Sequence, residues 1–222
     1  MPVPRPIRKA LSALGLAGLL FLWAGPVHPG SVPFDNHLRF GVFRETLSIG
    51  THDVMFKRDG DRLTIYSATD VSVGALFMTF YRFEQKRTEI RENGRVIYFE
   101  SWTNNNGEEL VTRVVATESG LEVEGTDGNM VVGSDVLPTT YWDVATVQQS
   151  RLIEGSYGRL IDVEIDRAGK DPIKTAEGMI EAEHYRIRGD LERDLWYDAD
   201  GVWLKMEFTV SDGSVIRYEP RV

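Results

Sequence analysis

The sequence has no cysteine among its 222 residues. That absence excludes disulfides, a thiol nucleophile, thiolate metal sites and the lipid-modified N-terminal cysteine of a lipoprotein. It does not argue against export, because a domain of about 190 residues buries enough core without covalent staples. Histidine is scarce: His28, His37, His52 and His184 are the only four. They are scattered, whereas a zinc site wants three or four ligands at readable spacing. A metal site would need His52, His184 and an acid to meet in space, so neither a metal nor another cofactor is expected. No long basic run is present either. The formal charge is −9, and the first 30 residues carry Arg5, Arg8 and Lys9 but no acid, so the remainder stands at −12. A surface of that sign disfavours nucleic acid and anionic membranes as partners.

What is present begins with those three cations. They precede residues 10–24 (ALSALGLAGLLFLWA), an apolar or small-residue run in which Ser12 is the one polar member. Gly25, Pro26, Pro29 and Gly30 then break any helix. A positive head, a short apolar run and small residues after it make a secretory signal. The run falls short of the roughly 20 residues that span a bilayer. Ala24 suits a cleavage site and Leu22, two positions earlier, does not. The alternative is an uncleaved anchor with Trp23 at the interface, the one membrane contact expected of the chain. Residues 1–30 are therefore assigned to a signal peptide and its junction, and the protein to the periplasm or the exterior.

The rest is punctuated at short intervals. Asp59-Gly60, Asn93-Gly94, Asn106-Gly107, Ser119-Gly120, Asp127-Gly128, Ala168-Gly169, Asp200-Gly201 and Asp212-Gly213 all read as turn pairs. Between them lie runs rich in Val, Ile, Thr, Tyr and Phe, the pattern of a β-meander. Val202, Leu204, Met206, Phe208 and Val210 share one face of a strand, predicted to face the core. Trp203, Lys205, Glu207 and Thr209 share the other, toward solvent or a groove. Ile161, Val163 and Ile165 read as inward, and Val96, Tyr98, Glu100 and Trp102 as one face opposite Ile97 and Phe99. Residues 76–83 (LFMTFYRF) are apolar on both faces, which predicts a strand buried on both sides. One stretch, residues 141–153 after Pro138-Thr139-Thr140, has apolar residues at helical spacing and predicts a helix ended by Gly155 and Gly158. The expectation is a mainly β protein: one domain over residues 34–222, a single curved antiparallel β-meander of about ten strands wrapping one helix.

Several segments carry a family resemblance. FGVFRETLSIGTHDVMF, YRFEQ with an Asn-Gly hairpin, PTTYW, YRIRGDLERDLWYDADGVWLKMEF and DGSVIRY together resemble an exported proteobacterial family known as domain of unknown function 6134. The chain is also distantly similar to domain of unknown function 3108, another set of envelope proteins. The resemblance covers nearly all of residues 38–220. Its specific parts are Ile49-Gly50-Thr51-His52, Pro138 to Trp142 and Asp194 to Asp198. It implies export and an open-barrel, lipoprotein-carrier-like sheet around a helix, and it brings no reaction with it. The likeness to lipid carriers bears on function by analogy alone.

Thr51 and His52 are the candidate catalytic residues. Gly50 allows close backbone approach there, but no neighbouring Ser or Asp completes a nucleophilic arrangement, and a structural histidine is the competing reading. Asp143, Asp194, Asp198 and Glu100 give no sign that two carboxylates converge. The aromatics say more. Tyr81, Phe83, Trp102, Tyr141, Trp142 and Trp196 are the candidate ligand-binding residues, lining an apolar groove between sheet and helix; core packing is the plainer explanation. Three functional readings follow in order. The first is an envelope protein that binds a hydrophobic or lipid-like small molecule on the concave face of its sheet. The second is a protein-interaction or assembly factor in the periplasm. The third is an enzyme of unknown reaction that uses Thr51, His52 and a nearby acid.

Overall fold

The computed structural model describes residues 32–33, 35–75 and 78–221, with the side chains of residues 75–79 left out; the predicted signal segment lies outside the described residues. Fifteen strands follow one another: β1 (His37–Arg44), β2 (Leu47–Asp59), β3 (Arg62–Ala75), β4 (Met78–Glu92), β5 (Arg95–Asn105), β6 (Glu108–Thr117), β7 (Gly120–Gly125), β8 (Gly128–Val132), β9 (Leu137–Pro138), β10 (Arg151–Glu154), β11 (Arg159–Thr175), β12 (Gly178–Gly189), β13 (Arg193–Tyr197), β14 (Trp203–Thr209) and β15 (Val215–Pro220). Local chemistry sets the tightest links. Asn93-Gly94 and Asn106-Gly107 have positive φ at both positions (50° and 79°, 55° and 99°), the geometry that folds two strands back with matching twist.

All fifteen strands form one sheet, in the order β8-β7-β6-β5-β4-β3-β2-β1-β15-β14-β13-β12-β11-β10-β9. Two meanders thus run outward from the centre, where β1 and β15 pair antiparallel from Phe40–Pro220 to Arg44–Ile216. The β9–β10 pair alone is parallel. The sheet curls into a barrel-like shell and does not close, since β8 and β9, consecutive in the chain, are its two edges. The ends still touch: the Thr126 amide donates to the Tyr157 carbonyl at 2.9 Å. Gly158, at φ +71°, lies so near that a Cβ there would sit 2.7 Å from the Gly125 Cα. The main core fills the inside of the curl and includes Phe40, Val42, Phe99, Val114, Leu152, Ile187 and Leu195. A smaller cluster of Ile173, Ala182, Trp196 and Leu204 packs separately.

Mainly β structure and an open, curved antiparallel sheet agree with the sequence pattern, but fifteen strands replace the expected ten. One of the added strands, β10, lies in the stretch expected to be a helix. Ala168-Gly169 works the other way: it is a bulge inside β11 and not a turn, so one long strand runs through it. Bulges also correct the face assignments. Between β13 and β14 the register shifts, so Trp203 turns inward beside Phe40 while Leu204 joins the small cluster. In β5 the register slips at Ile97, and Val96 and Phe99 both become core. A one-residue slip moves every later side chain to the other face. Ile161 and Val163 are buried as read. Leu76 and Phe77 lie outside the described residues, and the rest of the run read as buried on both sides is open where described: Phe80 is 61% exposed and Tyr81 38% exposed.

The expected helix over residues 141–153 is absent. In its place stand a short 3-10 turn (Val144–Gln148) and the strand β10. The helical spacing is overridden by tertiary bonds. Tyr141 adopts φ +60°, which no helix accommodates. Its carbonyl accepts from the Tyr197 hydroxyl at 2.7 Å, and the Thr139 carbonyl accepts from Arg87 Nη1 at 2.9 Å. Trp142 and Asp143 are held by a buried ionic group on β4. Arg91 Nε donates to Glu89 Oε1 at 2.6 Å, and Arg91 Nη1 donates to the Asp143 carboxylate. The second Glu89 oxygen accepts from the Thr140 hydroxyl at 2.9 Å and from Trp142 Nε1 at 3.0 Å. The Arg91 guanidinium also lies over the Trp142 ring, 4.5 Å from its centroid. Burial works against the Arg91 charge, yet Glu89 and Asp143 prevail and its pKa is raised.

Removing Arg91 would leave two buried carboxylates facing each other across the Pro138–Asp143 stretch. Arg91→Leu is therefore expected to cost about 3–5 kcal/mol of folding stability, measured by urea unfolding at neutral pH. A loss below about 1 kcal/mol would show that the group is not what fixes this segment.

Candidate functional site

The curl encloses a cavity of about 660 Å³. Close-packed interiors rarely hold voids larger than a water molecule, so a space this large is a built feature of the fold. The walls come from both meanders. Val42, Ile49, Val71, Val73 and Phe83 line one side, and Trp203, Met206, Phe208 and Ile216 the other. The lining grades from exposed residues (Tyr81, Ser211, Asp212) to buried ones (His52, Thr69, Gln85, Thr140), which marks an open end and a closed end. At the open end Arg44 pairs with Asp212, and the Tyr81 hydroxyl donates to Asn105 Oδ1 at 2.9 Å. At the closed end the floor is Thr139-Thr140-Tyr141, the stretch that the Glu89–Arg91–Asp143 group clamps in place.

The closed end is polar. His52 is 6% exposed and its Nδ1 hydrogen-bonds the Thr69 hydroxyl at 2.7 Å. The rings of Trp203, Tyr218 and Phe40 surround it at 5.4–5.9 Å between centroids. Burial, with a smaller contribution from the Arg87 charge, lowers its pKa to about 3, so the ring is neutral at any physiological pH. Gln85 Nε2 donates to the hydroxyls of Thr103 and Ser156, each at 2.9 Å. Arg87 lines the cavity beside them. Burial lowers its pKa, opposed by Tyr141, Glu154, Tyr218 and Glu89 at longer range. The Tyr141 and Tyr218 hydroxyls are raised, Tyr218 to about 12, again mainly by burial, so both remain neutral donors.

The structure divides the residues singled out from the sequence. Tyr81, Phe83, Tyr141 and His52 share the cavity. Trp142 lies behind its wall, packed on Phe56 and Arg91. Trp102 is away from the cavity, with the Lys86 ammonium 5.9 Å from its ring. Trp196 belongs to the small separate cluster, stacked on His184 at 4.3 Å and donating to Asp171 at 2.9 Å. Thr51, one residue from His52 on β2, points to the opposite face, into a shallow hollow with Asp53 and Asp70. The proposed Thr51–His52 pair is thus split by strand alternation, and the partner of His52 is a hydroxyl and not an acid. His184 sits between Asp171 (3.1 Å) and Asp194 (2.9 Å), away from His52. Among the described residues no cluster of three or more His, Asp or Glu is arranged to hold a metal ion.

Sequence reasoning passed over the polar face of β4. Gln85, Arg87, Glu89 and Arg91 recur at period two, so they share one face, and that face is the interior. The signal was readable: residues 84–92 of this strand are polar on both faces, apart from Ile90, which leaves one polar face to explain.

Together these features define a barrel-like, incompletely closed β protein with a chamber that is apolar along its walls and polar at its closed end. The chain belongs to the family described as Domain of unknown function (DUF6134), which matches residues 40–221. A similar solved structure is the beta-barrel-like protein of Domain of Unknown Function DUF1849 from Brucella abortus, with a TM-score of 0.60 at 9% identity over 83% of this chain and 94% of that one. At that identity the likeness concerns the fold alone. No curated protein matches the chain.

Neutral burial of His52 carries a pH signature. In the unfolded chain the imidazole takes up a proton below about pH 6.5, whereas in the folded protein it resists protonation down to about pH 3. Stability is therefore lost as pH falls through that window, by about 1.4 kcal/mol per unit. Between pH 7 and pH 5 the wild type should lose about 2 kcal/mol more than His52→Gln, measured by urea unfolding at each pH. Equal losses would mean that His52 is protonated inside the fold.

Proposed function

We propose that this protein is an exported envelope protein that holds a hydrophobic, lipid-like molecule inside its curled sheet. The observation that carries this reading is the cavity of about 660 Å³ with its predominantly aliphatic and aromatic walls. Small-molecule sites are concave, mostly apolar and about 300–1,000 Å³ in volume. Trp203, Met206 and Phe208 supply an extended apolar wall, and Tyr81 and Phe83 flank the open end where a ligand would enter. Export rests on the positive head and apolar run of residues 1–24. The enzyme reading is weaker, because His52 lacks a carboxylate partner and a pKa near 3 makes it a poor base at neutral pH.

The test begins with protein purified from its own envelope. Native mass spectrometry and solvent extraction are expected to recover a co-purifying apolar molecule in stoichiometric amount. In a second arm, Val73→Trp and Val210→Trp fill the chamber from two sides. Each should weaken binding of dodecanol at least about tenfold with Tm unchanged, because the volume that the ligand needs is taken by the indole. Unaltered dodecanol binding in both variants would contradict the proposal.

A further inference from the structure

One group at the closed end of the chamber is electrostatically incomplete. Arg87 reaches the cavity from β4, and among the described residues its Nη1 donates to the Thr139 carbonyl at 2.9 Å. Its Nε is buried without any hydrogen-bond partner. The carboxylates around it are engaged elsewhere. Glu89 is bonded to Arg91, Thr140 and Trp142. Glu154 accepts from the Ser156 and Tyr157 amides and lies 3.7 Å from Arg159. Asp143 is taken by Arg91 and by the Ala145 amide. A half-buried cation with a buried idle donor and no carboxylate in contact is costly unless something else completes it. Neutral donors stand near the same place. The Ser156 hydroxyl accepts from Gln85 and keeps its own proton to give. Tyr218 also lines the chamber.

We propose that the chamber takes a single-chain amphiphile with an anionic oxygen head, a carboxylate or a phosphate monoester, seated on Arg87, with the chain lying along Trp203, Met206 and Phe208. This rests on the reading of the cavity as an apolar-ligand site and adds the charge of the ligand and its orientation. A guanidinium matches such a head because its planar fork offers parallel N–H donors to two oxygens. The ligand's head would supply the direct ionic contact that Glu154, which lines the same end but is bonded to the Ser156 and Tyr157 amides, does not make with Arg87. The aliphatic and aromatic walls then hold the chain, and the exposed rim at Tyr81 and Asp212 is where the far end would leave.

Three probes separate the claims: dodecanoate, dodecyl phosphate and dodecanol, titrated into the mature protein below micelle-forming concentrations and read by Trp203 fluorescence and calorimetry. At least one of the two anions is expected to bind at least about tenfold more tightly than dodecanol, and which one prevails identifies the head. In Arg87→Gln that preference should vanish while dodecanol binding persists. Arg87→Lys, which keeps the charge, should retain part of it. If Arg87→Gln does not fold, the anion-to-alcohol ratio in the wild type decides the matter. Equal binding of all three probes overturns the anionic head and leaves the apolar-ligand reading standing. No binding by any probe overturns that reading as well.

Discussion

Arg91 lies between two carboxylates in a region nearly stripped of water, and the shape of the interior depends on that contact. Glu89 and Arg91 belong to β4, near the middle of one meander, whereas Asp143 belongs to the connection between β9 and β10 at the far edge of the other. The ion group therefore ties the connecting segment across the inside of the curl. The second oxygen of Glu89 extends the hold to Thr140 and Trp142, and the Tyr197 hydroxyl on β13 secures the Tyr141 carbonyl from the other side. Buried charges of this kind often add little net stability compared with apolar replacements. Here their effect is placement: they press an irregular, polar stretch of backbone against the end of the barrel-like shell and make a floor of it.

The floor has two consequences. It prevents the connecting segment from filling the inside as an amphipathic helix would, so the space between β1–β4 and β14–β15 remains open as a chamber. It also places polar groups at the closed end of an otherwise apolar space. A chamber with one polar pole orients whatever enters, since a ligand that leaves Arg87 and its neighbouring hydroxyls dry gains less than one that engages them. The open rim, where Tyr81 and Asp212 meet solvent, lies at the opposite end from that polar pole. The open edges are bridged by contact and not by strand pairing, where the β7–β8 turn meets the β10–β11 turn with Gly125 and Gly158 back to back and the Thr126–Tyr157 hydrogen bond beside them.

Much of the fold is legible in the sequence where local chemistry decides. The Asn-Gly links at 93–94 and 106–107 are read directly, because both demand positive φ. The inward set of Ile161 and Val163 follows from strand period. Legibility stops where bulges intervene: Trp203 takes the inward place read for Leu204, and Phe99 joins Val96, because a single inserted residue reverses a face without leaving a mark in composition. Residues 141–153 carry genuine helical spacing, and no local rule shows that Arg91, Tyr197 and Arg87 will claim their backbone and side chains. The candidate site divides in the same way. Tyr81, Phe83, Tyr141 and His52 reach the chamber as aromatic and polar strand residues can, while Trp102 and Trp196 lie elsewhere. Arg87 was passed over because a polar strand face reads as solvent-facing, and only the curl of the sheet turns it inward.

The account stands on an interior that is a chamber with a fixed polar floor and not a collapsed core. Crystallographic density for the protein purified from its native cells tests this most directly. The account expects continuous density for an elongated molecule against Trp203, Met206 and Phe208, ending in hydrogen-bond contact with Arg87. Side chains packed across that space, or a Thr139–Tyr141 stretch withdrawn from the Glu89–Arg91–Asp143 group, would contradict it.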